Sequence, residues 1–313
     1  MERRLAANLA RPGVAKRCVR YPLEALLLGI CFFVFAALPI EMASAFGGLL
    51  GRALGPRLPQ WRGNAIKNLQ LAFPDKSDGE RAHIMRGMWD NLGRTAAEFV
   101  HLNVIVAPGS GRVEIVNGEI LSALGRDGQP MILAGAHLAN WEISAALANL
   151  TGRKIVSVVR KQNNPLTQKM IEYLRHSAGG TQISKGRQGA KEALSLLRGG
   201  AVIGFLFDQK MKGDGAMTFF GHEAMTPLAP AHLALRLNCP LIPVRCERTG
   251  GARFRITIYP PVEFLGSGDQ QANAKAAMCK LNEQLEAWIR ERPKEWLWLH
   301  RRWAKNIYSR ASL

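Results

Sequence analysis

Short apolar runs with strand-like composition alternate with helical patterns through most of the chain after residue 110. Six runs rich in β-branched and aromatic residues occupy positions 112–116, 131–136, 154–159, 201–207, 241–245 and 254–259. Helical patterns separate most of them, at about residues 141–150, 165–177, 188–198, 228–237 and 271–290. This alternation predicts an α/β fold in which a mixed central sheet is flanked by helices on both faces.

The first sixty residues have a different character. A basic leader precedes 16 uncharged residues at positions 25–40, and the apolar composition continues past Glu41. Sixteen helical residues rise about 24 Å, less than the roughly 30 Å of a hydrocarbon core, and Pro39 interrupts any longer helix. We expect residues 1–60 to form a basic leader and an N-terminal membrane-anchoring helix. Residues 61–313 should form a helical lead-in and the α/β domain.

Three kinds of membrane segment fit this N-terminus. Basic residues lie on both sides of the apolar stretch, so a shallow or re-entrant insertion fits as well as a full crossing. The third is a signal peptide cleaved after "ASA" at 43–45. The length of the basic leader and the apolar residues beyond that point argue against cleavage.

The charge balance points to an anionic partner. The chain has 42 Lys and Arg against 24 Asp and Glu, a net charge of +18, and residues 152–212 alone carry 12 basic and 3 acidic side chains. Nucleic acid, anionic lipid or an acidic protein would all be attracted to such a surface. A nucleic-acid binder is disfavoured, because no known nucleic-acid-binding module is recognisable and the apolar anchor argues against one.

The stretch "GAHLANWEIS" at 135–144 places His137 in a turn between a strand and a helix, where α/β folds hold reacting groups. Residues five apart on a helix project about 140° apart, so a shared helical face would not bring His137 and Glu142 together. From the first turn of the helix, however, Glu142 can fold back to the imidazole. It would then fix the tautomer and leave the other ring nitrogen as a general base.

Other interpretations of this stretch stay open on residue types alone. Asn140 can be a plain helix N-cap, with Glu142 merely favourable near the helix N-terminus. A metal site would need a third ligand at suitable spacing, and none is nearby. A serine triad lacks its G-x-S-x-G turn.

Polar residues at two other strand ends are further candidates. Asp208 and Gln209 follow a continuous apolar strand, where polar groups must find partners, so we expect them to organise the site; an ordinary loop start is the alternative. Arg160 ends another strand and is either an anion-binding residue or a surface charge. Trp296, among other C-terminal tryptophans, is expected at a membrane interface or packed against the domain.

Several stretches, in the right order, resemble one known family. H-x4-E after a strand resembles the first motif of the lysophospholipid acyltransferase superfamily. The similarity to its branch of late lipid A biosynthesis acyltransferases, the lauroyl- and myristoyltransferases, spans about residues 20–305. It is carried by "RGNAIKNLQLAFPDKS" (62–77), "VVRKQNNP" (158–165), "GFLFDQ" (204–209), "FFGHEAMT" (219–226) and "EWLWLHRRW" (295–303).

The resemblance implies an O-acyltransferase that moves a fatty acyl chain from acyl carrier protein to a hydroxyl of a lipid A precursor. The enzyme would lie at the inner membrane, with its active site facing the cytoplasm. His137 would take the hydroxyl proton, Glu142 would orient it, and Arg175 would stabilise the oxyanion or hold a substrate phosphate. An exposed arginine near a helix C-terminus is the plainer interpretation of Arg175. No cofactor and no metal are implied.

Two other functions are alternatives at this point. One is acyl transfer to another glycolipid or to a lysophospholipid, with acyl-coenzyme A as the donor. The other is a non-catalytic, basic, lipid-binding membrane protein. Membrane lipids are expected partners in every case, since the anchor and the basic surface both favour an anionic bilayer.

Overall fold

A seven-stranded sheet organises the chain. The computed structural model describes residues 16–125, 128–148, 152, 155–210, 215–265, 269–304 and 307–308. The strand order is β1-β9-β8-β2-β5-β3-β4, and every neighbouring pair is parallel except β8 with β9. The prediction of a mixed sheet flanked by helices is confirmed. The strands are β1 (Val113–Val116), β2 (Met131–Gly135), β3 (Ile155–Val159), β4 (Thr181–Ser184), β5 (Val202–Leu206), β6 (Gly215–Phe219), β7 (His222–Thr226), β8 (Leu241–Gly250) and β9 (Arg253–Ile258).

Helices cover both faces of the sheet and form the N-terminal part of the chain. A 3-10 helix, Trp141–Leu147, stands where the sequence predicts an α-helix after β2. The α-helices are α1 (Tyr21–Ala36), α2 (Ile40–Leu54), α3 (Pro59–Ala72), α4 (Asp78–Glu98), α5 (Leu102–Ile105), α6 (Gly118–Gly125), α7 (Pro165–Ser177), α8 (Arg187–Arg198), α9 (Ala229–Leu237) and α10 (Gln270–Glu291).

The central strand β2 contributes to the core on both of its faces. Because side chains alternate along a strand, Met131 and Leu133 face one way and Ile132 and Ala134 the other. The first pair packs in a cluster with α5, α6 and the 3-10 helix, and the second in a cluster with α3, α4, α9 and α10. A strand buried on both faces needs a continuous apolar sequence, which is what "MILAG" provides.

Three strands lie outside the six apolar runs seen in the sequence. The edge strand β4 has the polar sequence "TQIS", because it has only one neighbour and a partly exposed surface. Strands β6 and β7 form a separate antiparallel hairpin, joined by Phe220 and Gly221 with positive φ angles of 50° and 73°. Two consecutive left-handed residues are characteristic of a tight two-residue hairpin turn.

The apolar N-terminal segment divides into two helices at Pro39. A stretch of 20 residues, Arg17–Ala36, is long and apolar enough to cross a membrane, and α1 has no buried residue. Even so, α1 touches the domain near both of its ends: Asn164 Nδ2 donates to the Tyr21 carbonyl oxygen (2.9 Å), and His101 Nε2 lies 3.0 Å from that of Phe35. The rest of the basic leader, residues 1–15, lies outside the described residues.

Helix α2 packs against α4 through small residues. Ala43, Gly47 and Gly48 are buried on its inner face, and Gly47 meets Gly93 of α4 so closely that a Cβ atom on either would overlap the other's carbonyl oxygen. The opposite face exposes Met42, Phe46 and Leu49. One face of the stretch "MASAFGGLLG" therefore packs against α4, and the other exposes large apolar side chains. Its glycines permit the close approach of the two backbones.

This packing gives a test of the α2–α4 contact. A methyl group at Gly51 would overlap the Trp89 carbonyl oxygen, so Gly51→Ala must separate the two helices. We expect a loss of about 1–3 kcal/mol in unfolding free energy, measured by thermal unfolding of the detergent-solubilised protein. Gly63→Ala in α3 is the matched control, since no atom lies within 4 Å of the added methyl group. It should stabilise the helix by roughly 0.5–1 kcal/mol, and equal effects of the two changes would refute the contact.

Candidate active site

The carboxyl ends of β2 and β5 bring a histidine and an aspartate together. The two strands are parallel neighbours in which Gly135 pairs with Leu206, and His137 and Asp208 each lie two residues further on. Asp208 Oδ1 lies 2.8 Å from His137 Nδ1, and Oδ2 accepts the backbone N–H of His137 at 3.0 Å. Trp296 Nε1 donates to the same Oδ2 at 2.9 Å. The carboxylate thus fixes both the backbone and the ring of His137.

The environment of Asp208 defines the protonation of the imidazole. Asp208 is 2% exposed. Burial opposes its ionisation, but the interactions with His137 and the Trp296 hydrogen bond outweigh it and hold the pKa of Asp208 well below its usual range. An ionised carboxylate can only accept hydrogen bonds, so His137 Nδ1 carries a proton. In neutral His137 the lone pair is then on Nε2, the nitrogen that a general base needs free.

Glu142 does not have the place that the sequence predicted for it. The carboxylate on the His137 ring belongs to Asp208, and that of Glu142 is held by Arg175, whose Nε and Nη2 lie 2.7 Å and 2.5 Å from its two oxygens. The 3-10 helix and the α7 arginine explain the difference: Glu142 meets a permanent cation on the neighbouring helix, a stronger partner than a neutral imidazole. The predicted pairing of His137 with Glu142 is therefore corrected to His137 with Asp208.

Arg175 is oriented by this bidentate pair. Its Nη1 also donates to Gln182 Oε1 at 3.2 Å, and its guanidinium lies over the Phe99 ring. A guanidinium has five N–H donors, and these hydrogen bonds use three of them. Among the contacts of the described residues, two donors are left for a ligand, and Arg175 lines the same cavity as His137. Arg175 is therefore an ordered residue of the cavity wall, and it is not an ordinary exposed arginine near a helix C-terminus.

The turn that carries His137 is strained and held from two sides. Ala139 has a φ angle of +48°, which residues other than glycine rarely adopt. Its carbonyl oxygen accepts hydrogen bonds from Asn91 Nδ2 (2.9 Å) and Thr95 Oγ1 (3.1 Å) of α4. Its N–H donates to the Glu295 carbonyl oxygen at 3.0 Å. Helix α4 and the C-terminal segment together impose the backbone that points His137 into the cavity.

A fully buried glutamate links this turn to the N-terminal helices. Glu98 at the end of α4 accepts hydrogen bonds from Ser44 of α2 (2.7 Å) and from Asn140 Nδ2 (2.8 Å). Two guanidinium nitrogens of Arg248 complete its shell at 2.5 Å and 3.0 Å. The side chain of Asn140 also accepts the Glu142 N–H, so the predicted capping role of Asn140 is real. Helix α2, the turn that carries His137 and β8 therefore meet at one carboxylate.

Gln209 lies between two histidines. Its amide nitrogen is 3.1 Å from His137 Nε2 and 2.7 Å from His300 Nε2. Burial, together with the proximity of His137, lowers the pKa of His300 to about 4, so His300 is neutral at ordinary pH. The sequence pointed to Gln209 and to the "EWLWLHRRW" stretch, but not to His300 as a member of the site. The only local signal for His300 in the sequence is its position directly after a segment rich in tryptophan.

The site opens into a cavity of about 370 Å³. Its buried walls are apolar and come from β2, β3, β8, β9 and the 3-10 helix, whereas polar and basic groups stand nearer to solvent. Among the latter are Arg160, at the exposed end of β3, and Lys185. The predicted site residues His137, Glu142, Arg160, Arg175 and Gln209 all line this cavity, and Asp208 supports it from behind. The apolar wall residues include Leu133, Leu147, Ile155, Val244 and Ile256.

The C-terminal tryptophans pack inside the domain. Trp296, Trp298 and Trp303 are at most 2% exposed, so the packing interpretation holds and the membrane-interface interpretation does not. The Trp296 segment pairs with the turn after β2, because Leu297 N–H donates to the His137 carbonyl oxygen at 3.1 Å. Within the described part of the chain, no group of three or more His, Cys, Asp or Glu residues is arranged to hold a metal ion.

Comparison with known proteins agrees with the resemblance seen in the sequence. The chain is 27% identical over 261 residues to the lipid A biosynthesis myristoyltransferase of Escherichia coli K12, covering 80% of this chain and 77% of that one. It is 24% identical over 301 residues to the lipid A biosynthesis palmitoleoyltransferase of the same organism, covering 94% and 95%. These relatives are named as acyltransferases, in agreement with the predicted O-acyltransferase class.

Among solved structures, the 1-acyl-sn-glycerophosphate acyltransferase PlsC of Thermotoga maritima aligns with 85% of this chain and 98% of its own. The identity is 13% and the TM-score 0.37. The family model described as "Bacterial lipid A biosynthesis acyltransferase" matches residues 15–305, nearly the whole chain. This protein therefore belongs to the bacterial lipid A biosynthesis acyltransferase family.

Proposed function

We propose that this protein transfers a fatty acyl chain from the thioester of acyl carrier protein to a hydroxyl of a lipid A precursor. The reaction takes place on the cytoplasmic side of the inner membrane, with His137 as the general base. The observation that carries the proposal is the His137–Asp208 pair, which presents Nε2 to an apolar cavity beside an oriented arginine. Family membership supports the acceptor, because the relatives are named for lipid A biosynthesis.

The chemistry follows from the protonation of His137. Nε2 takes the proton of the acceptor hydroxyl while its oxygen attacks the thioester carbonyl carbon. The resulting imidazolium is stabilised by the Asp208 carboxylate, 2.8 Å from Nδ1. As the tetrahedral intermediate collapses, the carbon–sulfur bond breaks and the proton on Nε2 passes to the leaving thiolate. An oxygen ester and a free thiol are formed, and His137 returns to its neutral state.

The developing oxyanion needs donors on the same side of the cavity. Among the described residues, only Glu142 and Gln182 accept from Arg175, which leaves two of its N–H groups, and the bidentate pair fixes the plane of its guanidinium. Preorganised donors of this kind stabilise an oxyanion without reorientation during the reaction. We assign Arg175 to the oxyanion, with Glu142 as the residue that orients it. Arg160, exposed at the end of β3, is the candidate for a substrate phosphate.

The apolar part of the cavity suits the acyl chain. Its buried walls come from four strands and the 3-10 helix, and burying a methylene group there gains roughly 0.8 kcal/mol. Both acyl carrier protein and lipid A precursors are anionic, and Arg160 and Lys185 line the cavity on its polar side. The net charge of +18 favours both partners and an anionic bilayer.

The contacts of α1 favour re-entrant insertion over a full crossing. Helix α1 touches the domain near its start and its end, and Met170 of α7 packs on Gly29 between them. Helix α7 carries charged Lys169 and Glu172, so it does not belong in hydrocarbon. We propose that α1 and the exposed face of α2 enter one leaflet. Cleavage after "ASA" is disfavoured, since Ala43 and Ser44 are buried against the domain.

This proposal predicts that His137→Ala abolishes acyl transfer but leaves membrane binding intact, because only the base is removed. Purified enzyme would be given acyl carrier protein or coenzyme A carrying the same acyl chain, and mass spectrometry would identify the acylated acceptor. Lipids from cells with and without the gene would name the natural acceptor and chain. Unchanged transfer by His137→Ala would refute the mechanism, and turnover with acyl-coenzyme A alone would refute the donor.

Because Asp208 binds His137 and Glu142 binds Arg175, substitutions of the two carboxylates should have different effects. Asp208→Asn removes the charge that stabilises the imidazolium, so kcat should fall by roughly 10³–10⁴-fold.

Glu142→Gln should instead be coupled to Arg175: in a double-mutant cycle with Arg175→Gln, the unfolding free energies should be non-additive by about 0.5–3 kcal/mol. The matched cycle of Glu142→Gln with His137→Ala should be additive within about 0.5 kcal/mol. The reverse pattern of coupling would restore Glu142 as the partner of His137.

Re-entrant insertion predicts that both termini lie in the cytoplasm. A fluorescent protein that folds only in the cytoplasm should be bright when fused at either end, because α1 returns to the side from which it enters. A fusion of the same protein after a cleaved secretion signal is the dark control. If only the C-terminal fusion is bright, α1 crosses the membrane and re-entrant insertion is wrong.

A further inference from the structure

The first turn of α3 exposes the face that the rest of the helix buries. Positions 58, 61, 62, 65, 69 and 72 recur at the three- and four-residue spacing of a single helix face. From Ala65 onward this face is buried in the domain. At the start of the helix it is exposed: Leu58 is 47% and Trp61 43% accessible, and Arg62 is exposed as well. Leu58, Trp61 and Arg62 together form the first-turn surface.

The first-turn surface lies beside the cavity that contains His137. The Trp61 ring meets the His300 ring edge-on, with centroids 6.5 Å apart, and the centroids of the His300 and His137 rings are 5.7 Å apart. Both histidines line the cavity. Asn68 Nδ2 of α3 donates to the His300 carbonyl oxygen at 2.7 Å, so the helix and the C-terminal segment are fixed to each other here. One imidazole ring therefore separates the exposed Trp61 from the proposed base.

The first-turn surface also follows directly on the apolar surface of α2. That helix exposes Phe46 and Leu49, and Leu54 at its end is exposed too. Only the three-residue 3-10 helix Gly55–Arg57 separates Leu54 from Leu58. Large exposed apolar side chains therefore continue along the chain from the helix proposed to enter the leaflet to the rim of the cavity.

The two segments that meet at this surface carry basic residues and no acidic ones. Residues 51–73 contain four Lys and Arg, and neither they nor residues 296–304 contain an Asp or Glu. Among the described residues, no acceptor binds the guanidinium of exposed Arg62. Arg301 adds a second exposed guanidinium, whose Nε donates to Asn64 of α3 at 3.2 Å. A guanidinium beside apolar side chains suits a phosphate at a membrane–water interface.

We propose that the first-turn surface of α3 binds the lipid acceptor as it passes from the leaflet to His137. The proposal rests on the proposed function, in which a lipid A precursor is the acceptor, and it names where that lipid binds. The acyl chains of the lipid contact Leu58 and Trp61, and a phosphate of its headgroup binds Arg62. Arg62 is thus a second phosphate ligand, in addition to Arg160 in the cavity. Because the chains stay against apolar side chains, the lipid delivers its hydroxyl without exposing them to water.

Continuity with the membrane decides between the two substrates as occupants of this surface. A lipid acceptor reaches Leu58 by lateral diffusion and does not leave the bilayer. The acyl carrier protein is water-soluble and has no access to side chains that lie in a leaflet. A plain membrane anchor, which would bind any bilayer lipid equally well, is the alternative that the experiment has to distinguish.

The kinetic test uses the full-length enzyme in mixed detergent micelles, with acyl carrier protein thioester as the donor. The acceptor is the lipid A precursor extracted from cells that lack the gene, and its mole fraction is varied. Trp61→Ala and Arg62→Gln should each raise the KM for this acceptor several-fold, with little change in kcat or in the KM for the donor. Trp61→Phe should stay close to the wild type, because it keeps an aromatic ring beside His300.

Arg198→Gln is the matched control for the loss of one charge. Arg198 is exposed at the end of α8, and three residues separate it from the start of β5, so it lies at the edge of the sheet opposite to the one that carries His137. It should change neither KM. A raised KM for the donor in Trp61→Ala or Arg62→Gln would overturn the proposal, as would an unchanged KM for the acceptor in both.

Two further measurements do not depend on acyl transfer. Flotation with phosphatidylglycerol vesicles should recover Trp61→Ala as well as the wild type, because α1 and α2 expose most of the large apolar side chains. The photoreactive variant Leu58→p-benzoylphenylalanine should crosslink the extracted precursor in preference to phosphatidylglycerol. The same group at Gln70, exposed about 180° around α3 from Trp61, should crosslink neither lipid.

Weaker flotation of Trp61→Ala, or equal crosslinking of both lipids at position 58, would show a plain membrane anchor and overturn the proposal. Failure of the proposed function gives a different result. If the wild type did not acylate the extracted precursor, the kinetic assay would show no turnover in any variant, whereas preferential crosslinking at position 58 would still report the binding surface.

Discussion

The carboxylate of Asp208 is the interaction on which the rest of the site depends. It accepts the backbone N–H and the ring Nδ1 of His137 and the indole N–H of Trp296. Its three bonds therefore join the end of β2, the end of β5 and the C-terminal segment at one buried point. Because a buried carboxylate that lost these donors would be strongly destabilising, the three segments are constrained to meet with the imidazole in one orientation.

The fold was largely readable from the sequence, because its signals are local. The apolar run "MILAG" predicts a strand buried on both faces, and the helical patterns between such runs predict most of the helices that cover the sheet. Strand β4 was not predicted from the sequence, because an edge strand with a partly exposed surface tolerates polar residues. For the site, the sequence predicted most of the residues but not the contacts between them. The residues at strand ends were found, but their pairing depends on which strands are neighbours, and that is not a local property.

The error over Glu142 illustrates this limit. Glu142 is five positions from His137 in the sequence, whereas Asp208 is 71 positions away and meets it only because β5 lies beside β2. A helix cation, Arg175, then takes the nearer carboxylate. His300 was missed for the same reason, since its place depends on contacts with α3, and Asn68 of that helix is 232 positions away in the sequence. Proximity along the chain suggested that Glu142 pairs with His137, whereas packing pairs His137 with Asp208 and Glu142 with Arg175.

The close contact between α2 and α4 has a consequence for how this protein can be handled. Ser44 of the N-terminal region binds Glu98, and Glu98 also binds Asn140 in the turn that carries His137. A chain trimmed through α2 to gain solubility would expose the α4 surface around Gly93 and leave this buried glutamate short of a donor. Helix α2 is thus a structural part of the α/β domain, and a truncation that removes α2 would disturb the turn that carries His137.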